Sequence, residues 1–88
     1  MYKLEYYVPR SHLEATQQAL FAAGAGTIGN YSNCCWVTEG IGQFRPLQGA
    51  TPFIGQQGKI QQEPEMKVEL VFCRSLKLAI VAALKQSH

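Results

Sequence analysis

The sequence predicts an α+β fold in which two strand–helix units share one sheet. Two observations in the 88 residues support this prediction. First, residues 3–13 (KLEYYVPRSHL) resemble residues 67–77 (KVELVFCRSLK), and internal repeats of this kind reveal architecture. Second, each copy begins with alternating apolar and polar residues and continues with apolar residues at helical spacing. That change of period is typical of a strand followed by a helix.

The first unit begins with a strand over residues 1–8, whose apolar side chains alternate with polar ones. Pro9 cannot donate a ladder hydrogen bond, so we expect it to end this strand. Ser11 is the predicted N-cap of the following helix, and Glu14 completes a capping box three residues later. Gly24 suits the left-handed backbone position that ends a helix.

A second extended run is predicted at residues 34–39, after the first helix. Gly40 and Gly42 are expected to flank a turn, and residues 43–45 to return as a short hairpin arm. The excursion over residues 40–64 is long for a connection, and long loops in compact domains are often binding elements.

The second unit repeats the first, with a strand over residues 66–73 and a helix that starts near Ser75. The order strand, helix, strand, strand, helix predicts a ferredoxin-like βαββα(β) sandwich within one domain, residues 1–88. The doubled pattern calls for a fourth strand where the sequence reaches His88, so the last strand is missing or truncated. The outer edge of the 1–8 strand is then uncovered, and we expect a homo-oligomer, trimer or dimer, to cover it.

Composition argues against several classes of function. The formal net charge is +2 and its basic residues are dispersed, so we expect no nucleic-acid partner. No apolar run approaches the roughly 20 residues that span a bilayer, so we expect no membrane association. The three cysteines are an odd number, two of them adjacent, which is typical of a reduced cytoplasmic protein.

Catalytic and metal-binding patterns are weak. The chain has no aspartate and two histidines, and no nucleophile–base constellation is recognisable, so we predict neither an enzyme nor a cofactor. Cys34 and Cys35 would point to opposite faces of a strand, so we assign no metal and expect buried thiols. Gly24 and Gly26 follow a helix instead of preceding one, which disfavours a phosphate-binding loop.

Glycines, aromatics and prolines at fixed spacing provide a more specific signal. The run Ala23-Gly24-Ala25-Gly26 is followed by Ile28-Gly29-Asn30-Tyr31 and by Cys34. Gly40-x-Gly42-x-Phe44-x-Pro46 and Gly49-Ala50-x-Pro52-x-x-Gly55 come next. With these motifs, nearly the whole chain resembles the insert domain of the dinuclear-metal-centre hexameric proteins. That family is also called NGG-one-interacting-factor-three-like or YqfO-like.

The resemblance implies a fold similar to the CutA divalent-cation-tolerance proteins and the PII signal proteins, which are typically trimeric. Long members of the family also have a shell domain that binds two metals, and some are named GTP cyclohydrolase type-two homologue. The sequence contains none of that shell, so the metal centre and any hydrolase activity are not carried over.

We therefore predict a non-catalytic, oligomeric regulatory or ligand-binding module that acts through residues 40–64 and the clefts between subunits. In PII-like proteins the loop at this place contacts a small-molecule effector or a protein partner. The alternative is a CutA-like protein that binds a divalent metal. The candidate ligand-binding residues are Asn30, Tyr31, Cys34, Thr38, Arg45 and Phe53.

Overall fold

The computed structural model describes residues 1–49 and 56–88. Its elements, in chain order, are β1 (Tyr2–Val8), α1 (Arg10–Ala22), β2 (Trp36–Phe44), β3 (Gln61–Phe72), a 3₁₀ turn (Arg74–Leu76) and α2 (Lys77–Ser87). The three strands form an antiparallel sheet in the order β1-β3-β2. This arrangement confirms the predicted α+β class, and within the described residues it is a ferredoxin-like sheet that lacks the fourth strand.

One face of the sheet carries the hydrophobic core. Alternate residues of β1 and β3 point toward α1 and α2, and Leu20 of α1 and Ile80 of α2 are fully buried against them. Removing a large apolar side chain from water contributes about 1.5–3 kcal/mol. The core therefore depends on the even-numbered strand residues, as the alternation predicts: Tyr6, Val8, Met66, Val68, Leu70 and Phe72.

The core contains one polar pair that joins β1 to α1. The Tyr6 hydroxyl donates to Thr16 Oγ1 at 2.9 Å, and Thr16 donates to the Leu13 carbonyl, also at 2.9 Å. Thr16 is fully buried, and it is the one polar residue among the buried residues of the described chain. Because both hydroxyls have partners, neither incurs the cost of an unpaired polar group in the core.

The ends of α1 show one correct and one wrong prediction. Pro9 occupies the N-cap position with extended backbone and no side-chain cap, so the predicted capping box is wrong. Ser11 lies inside the helix instead, because proline with its fixed φ already starts the first turn. At the other end, Gly24 has φ of +104°. Its N–H binds the carbonyl of Phe21, and the next N–H binds that of Leu20, which forms a Schellman motif.

The predicted loop over residues 40–64 is wrong at both of its ends, because residues 40–44 and 61–64 belong to strands. Gly40 and Gly42 do not flank a turn; they lie inside β2, which continues to Phe44, while β3 begins at Gln61. The connection between the two strands is therefore residues 45–60. Long β3 supplies pairing partners along all of β2, and this tertiary pairing overrides the weak strand preference of glycine.

Candidate functional site

The face of the sheet away from the helices is called here the open face. Directly paired residues of antiparallel strands share a face, so the register places three groups of side chains together. In the described residues, no helix or strand covers them. The open face consists of Lys3, Glu5 and Tyr7 from β1, the odd-numbered residues 61–71 from β3, and Trp36, Thr38, Gly40, Gly42 and Phe44 from β2.

The internal repeat produces a quasi-symmetric set of ion pairs on the open face. Glu5 pairs directly with its repeat counterpart Glu69 across β1 and β3. Lys3 Nζ lies 2.7 Å from Glu69 and 3.3 Å from Glu5, and Lys67 Nζ lies 3.9 Å from Glu5. Like charges directly opposite each other destabilise a sheet, so the two lysines offset the repulsion between the two glutamates.

These contacts perturb two pKa values. Hydrogen bonds to Glu69 and then to Glu5 raise the pKa of Lys3 above its ordinary value. The hydrogen bond from Lys3 is likewise the main reason that the pKa of Glu69 lies below its ordinary value. Both side chains are therefore charged at neutral pH, although solvent screens exposed pairs of this kind.

The segment between α1 and β2 borders one end of the open face. The Gly26 N–H donates to the Val71 carbonyl and the Cys34 N–H donates to the Gly26 carbonyl, both at 2.8 Å. Gly26 has φ of +81°, and a Cβ there would lie 2.8 Å from the Cys34 carbonyl oxygen and 2.9 Å from the Phe21 ring. Only glycine fits this backbone and this close approach.

A hollow of about 450 Å³ lies between that segment and the sheet, and it is called here the larger hollow. Its lining includes Lys3 and Glu69 from the ion pairs, Ile28 and both adjacent cysteines from the segment, and Trp36 from the start of β2. The indole is 69% exposed, and its Nε1 donates to Thr38 Oγ1 at 3.0 Å. This hydrogen bond restrains the indole at the rim of the hollow.

A second, smaller hollow of about 220 Å³ lies further along the open face. Gly40 and Gly42 contribute to its lining, together with Tyr7, Thr38 and Glu65. A Cβ on Gly42 would lie 2.8 Å from the Glu65 carboxyl carbon. The two glycines therefore leave backbone accessible beside a carboxylate.

Two of the predicted ligand-binding residues lie at these hollows. Cys34 lines the larger hollow and Thr38 lines the smaller one. The Cys34 thiol contacts the Ser32 carbonyl at 3.7 Å, and the neighbouring Cys35 thiol accepts a hydrogen bond from Gln17 at 3.4 Å. Both cysteines precede β2, so the prediction that they lie on a strand is wrong.

Three other predicted ligand-binding residues, Asn30, Tyr31 and Arg45, do not line either hollow. Asn30 and Tyr31 belong to a tight turn closed by two backbone hydrogen bonds between residues 28 and 31, and both side chains are exposed. Arg45 directly follows β2 and is exposed. Phe53 lies outside the described residues. A role in binding stays a prediction for all of them.

Sequence reasoning missed Lys3, Glu69 and Trp36 as parts of the site. The sequence did contain a signal for Lys3 and Glu69, because the repeat and the alternation place both residues on the face of the sheet away from the helices. Trp36 carried no such signal, since its direction depends on where β2 begins. The expectation of buried thiols is wrong for Cys35, which is exposed, while Cys34 is partly buried.

Residues 1–49 and 56–88 contain neither a cluster of metal ligands nor a helix that could span a membrane. No three histidine, cysteine, aspartate or glutamate side chains come together there as metal ligands. Two thiols alone do not make the four-ligand set that a structural zinc site needs, so the described residues do not fit such a site. Neither described helix has the length and apolar character that crossing a bilayer requires.

Comparison with known proteins identifies similar chains. No protein-family model matches. The chain is 46% identical over 86 residues to the GTP cyclohydrolase 1 type 2 homolog of Bacillus subtilis, covering 98% of the chain and 23% of that protein. It is 43% identical over 88 residues to the protein of the same name from Halalkalibacterium halodurans, covering 24% of it. The chain thus spans less than a quarter of the length of these relatives.

A solved structure agrees with the sequence comparison. The crystal structure of a Bacillus cereus protein related to NIF3 matches with a TM-score of 0.83 and 35% identity, over 98% of this chain and 21% of that one. The chain therefore corresponds to one segment of the NIF3-related, YqfO-like proteins, and the resemblance predicted from its motifs is confirmed.

Proposed function

We propose that this chain, which corresponds to one segment of the NIF3-related proteins, is a non-catalytic domain that associates with further copies of itself and binds ligands or partners. The observation that carries the proposal is the open face, which holds exposed aromatic side chains on both outer strands of the sheet. Trp36 is 69% exposed and Tyr7 is 57% exposed. Large exposed apolar surface rimmed by polar residues is typical of protein–protein interfaces.

A second copy is the occupant that the charges favour. On the open face, the ion-paired residues comprise two lysines and two glutamates arranged around the Glu5–Glu69 pair. The set is balanced and nearly two-fold symmetric, so the same set on another copy is complementary to it after rotation. At this set a strongly acidic or basic partner would instead meet as many repelling as attracting charges, while Glu63 and Glu65 add two negative charges further along the open face.

The sheet edges also favour association. β1 and β2 are the outer strands of the described sheet, so each has backbone N–H and C=O groups along its outer side. Unpaired edges of this kind template pairing with another chain. β2 has no lysine or proline to discourage pairing, and exposed Ile41 lies in its centre.

Absence of catalysis is part of the proposal. The relatives' name refers to GTP cyclohydrolase, but the chain covers less than a quarter of them. The larger hollow offers two thiols, one carboxylate and one ammonium. The hydrogen-bond partners of the two thiols are Gln17 and the Ser32 carbonyl, and neither is a histidine that would serve as a base. We expect no GTP turnover with or without divalent metal, and turnover by the purified chain would contradict this part.

The test of association is sedimentation velocity over a range of protein concentrations. We expect a concentration-dependent oligomer for the wild type and a shift toward monomer for Tyr7→Glu, which places a new charge on the open face opposite Lys67. Leu78→Glu is the matched control, because Leu78 is 85% exposed on the outer side of α2. A wild type that stays monomeric at high concentration, or equal effects of both substitutions, would overturn the proposal.

A further inference from the structure

We infer that the larger hollow binds a small, neutral, planar molecule in which an N–H group lies next to a carbonyl group, as in a cyclic amide. The inference goes beyond self-association, because a single copy supplies the whole lining. Three properties of the lining lead to this class of ligand: its size and apolar walls, the hydrogen-bonding capacity of its polar pair, and its charge balance.

The size and walls of the hollow suit a small ring. Its volume of about 450 Å³ lies within the range of about 300–1,000 Å³ that small-molecule sites occupy. Ile28 and Val71 contribute apolar lining. The exposed indole of Trp36 presents an aromatic face at the rim, and aromatic faces favour offset stacking with planar rings. Its hydrogen bond to Thr38 restrains the indole before a ligand arrives.

The polar pair in the hollow retains one donor and one acceptor. An ammonium group has three N–H donors, and Lys3 directs two toward Glu69 and Glu5. One N–H of Lys3 therefore remains for a ligand carbonyl. The Glu69 carboxylate receives Lys3 at Oε1, and because a carboxylate has about four lone-pair sites it retains capacity to accept from a ligand N–H. A donor beside an acceptor is the complement of a cyclic amide.

Charge excludes other classes of ligand. Lys3 and Glu69 are the charged residues of the lining, and their charges cancel. An anion near the pair meets Glu69 and the adjacent Glu5, and a cation meets Lys3, so either sign faces a like charge at close range. Repulsion of this kind discriminates as effectively as attraction. A neutral molecule avoids both penalties.

The experiment uses the single tryptophan of the chain, which lies at the rim of the hollow, as a fluorescent reporter. Uracil is the probe, and 1,3-dimethyluracil is the matched control, because it keeps the ring and loses both N–H groups. Benzoate and benzylammonium test the two charged classes. We expect a saturable change with uracil and affinity about tenfold lower for dimethyluracil, since Glu69 then has no donor to accept from.

Two variants test whether a change in tryptophan fluorescence comes from binding in the larger hollow. Lys3→Met removes the donor to the carbonyl, and Ile28→Ala removes an exposed wall of the hollow without touching the core; each should weaken uracil binding about tenfold or less. Lys85→Met, on the exposed side of α2, should bind as the wild type does. Circular dichroism checks the fold and sedimentation checks association in the same samples. No saturable response, equal binding of dimethyluracil, or tighter binding of either charged probe would overturn the inference.

Discussion

The buried Tyr6–Thr16 hydrogen bond gives a quantitative test of the core. The change Thr16→Val keeps the branched shape of the side chain but removes the oxygen that accepts from the Tyr6 hydroxyl at 2.9 Å. Thr16 is fully buried and Tyr6 is 6% exposed, so water does not replace the lost acceptor. An unpaired buried hydroxyl costs about 1–3 kcal/mol, and we expect the free energy of unfolding to fall by that amount.

The reciprocal change has a smaller expected effect. Tyr6→Phe removes the donor, while Thr16 keeps its own hydrogen bond to the Leu13 carbonyl, so the expected loss is about 0.5–1.5 kcal/mol. In the double variant no phenol is left unpaired. We therefore expect the combined loss to be smaller than the sum of the single losses, with a coupling energy of about 0.5 kcal/mol or more.

The assay is urea unfolding followed by far-ultraviolet circular dichroism at one fixed protein concentration, because association makes apparent stability depend on concentration. In a domain of this size each kcal/mol also lowers Tm by roughly 4–8 °C. Leu78→Ala, on the exposed side of α2, is the control and should unfold close to the wild type. A Thr16→Val variant as stable as the wild type, or strictly additive single losses, would refute the argument from burial.

Two further predictions concern the backbone and the response to pH. Gly26→Ala should destabilise the chain by about 1–3 kcal/mol, since φ is +81° and the new Cβ would meet the Cys34 carbonyl; wild-type stability in urea would contradict this. Burial raises the pKa of Tyr6 above 10.0, so the folded state keeps a proton that the unfolded state loses. Stability should therefore fall as pH rises above about 10, and a Tyr6→Phe variant with the same alkaline slope would contradict this.

The strand and helix units were predictable because their signals are local. Alternation along β1 and β3 assigned the core face correctly, and Gly24 marked the end of α1 through its backbone freedom. The capping prediction failed at Ser11 because two local signals competed, and the fixed φ of Pro9 prevailed. The loop prediction failed because Gly40 and Gly42 read as turn residues, whereas pairing with β3 holds them in a strand.

The candidate site was predictable only in part. Cys34 and Thr38 lie at hollows on the open face, while Asn30, Tyr31 and Arg45 lie elsewhere on the surface. The larger hollow combines residues from β1, β3, the start of β2 and the segment before it. This combination of residues depends on pairing between strands that are distant in the sequence and on the backbone conformation at Gly26. Neither can be recognised from a short stretch of sequence.

The sequence by itself determined the elements, the side of each strand that faces the core, and the matching lysines and glutamates of the two repeats. The alternation of apolar and polar residues and the internal repeat are properties of the sequence alone, so both can be recognised without knowledge of the fold. The antiparallel register decided that Glu5 lies opposite Glu69 with Lys3 between them. Register is set by the packing of whole strands against helices, and for that reason only the tertiary structure revealed the ion pairs, the hollow and the uncovered face.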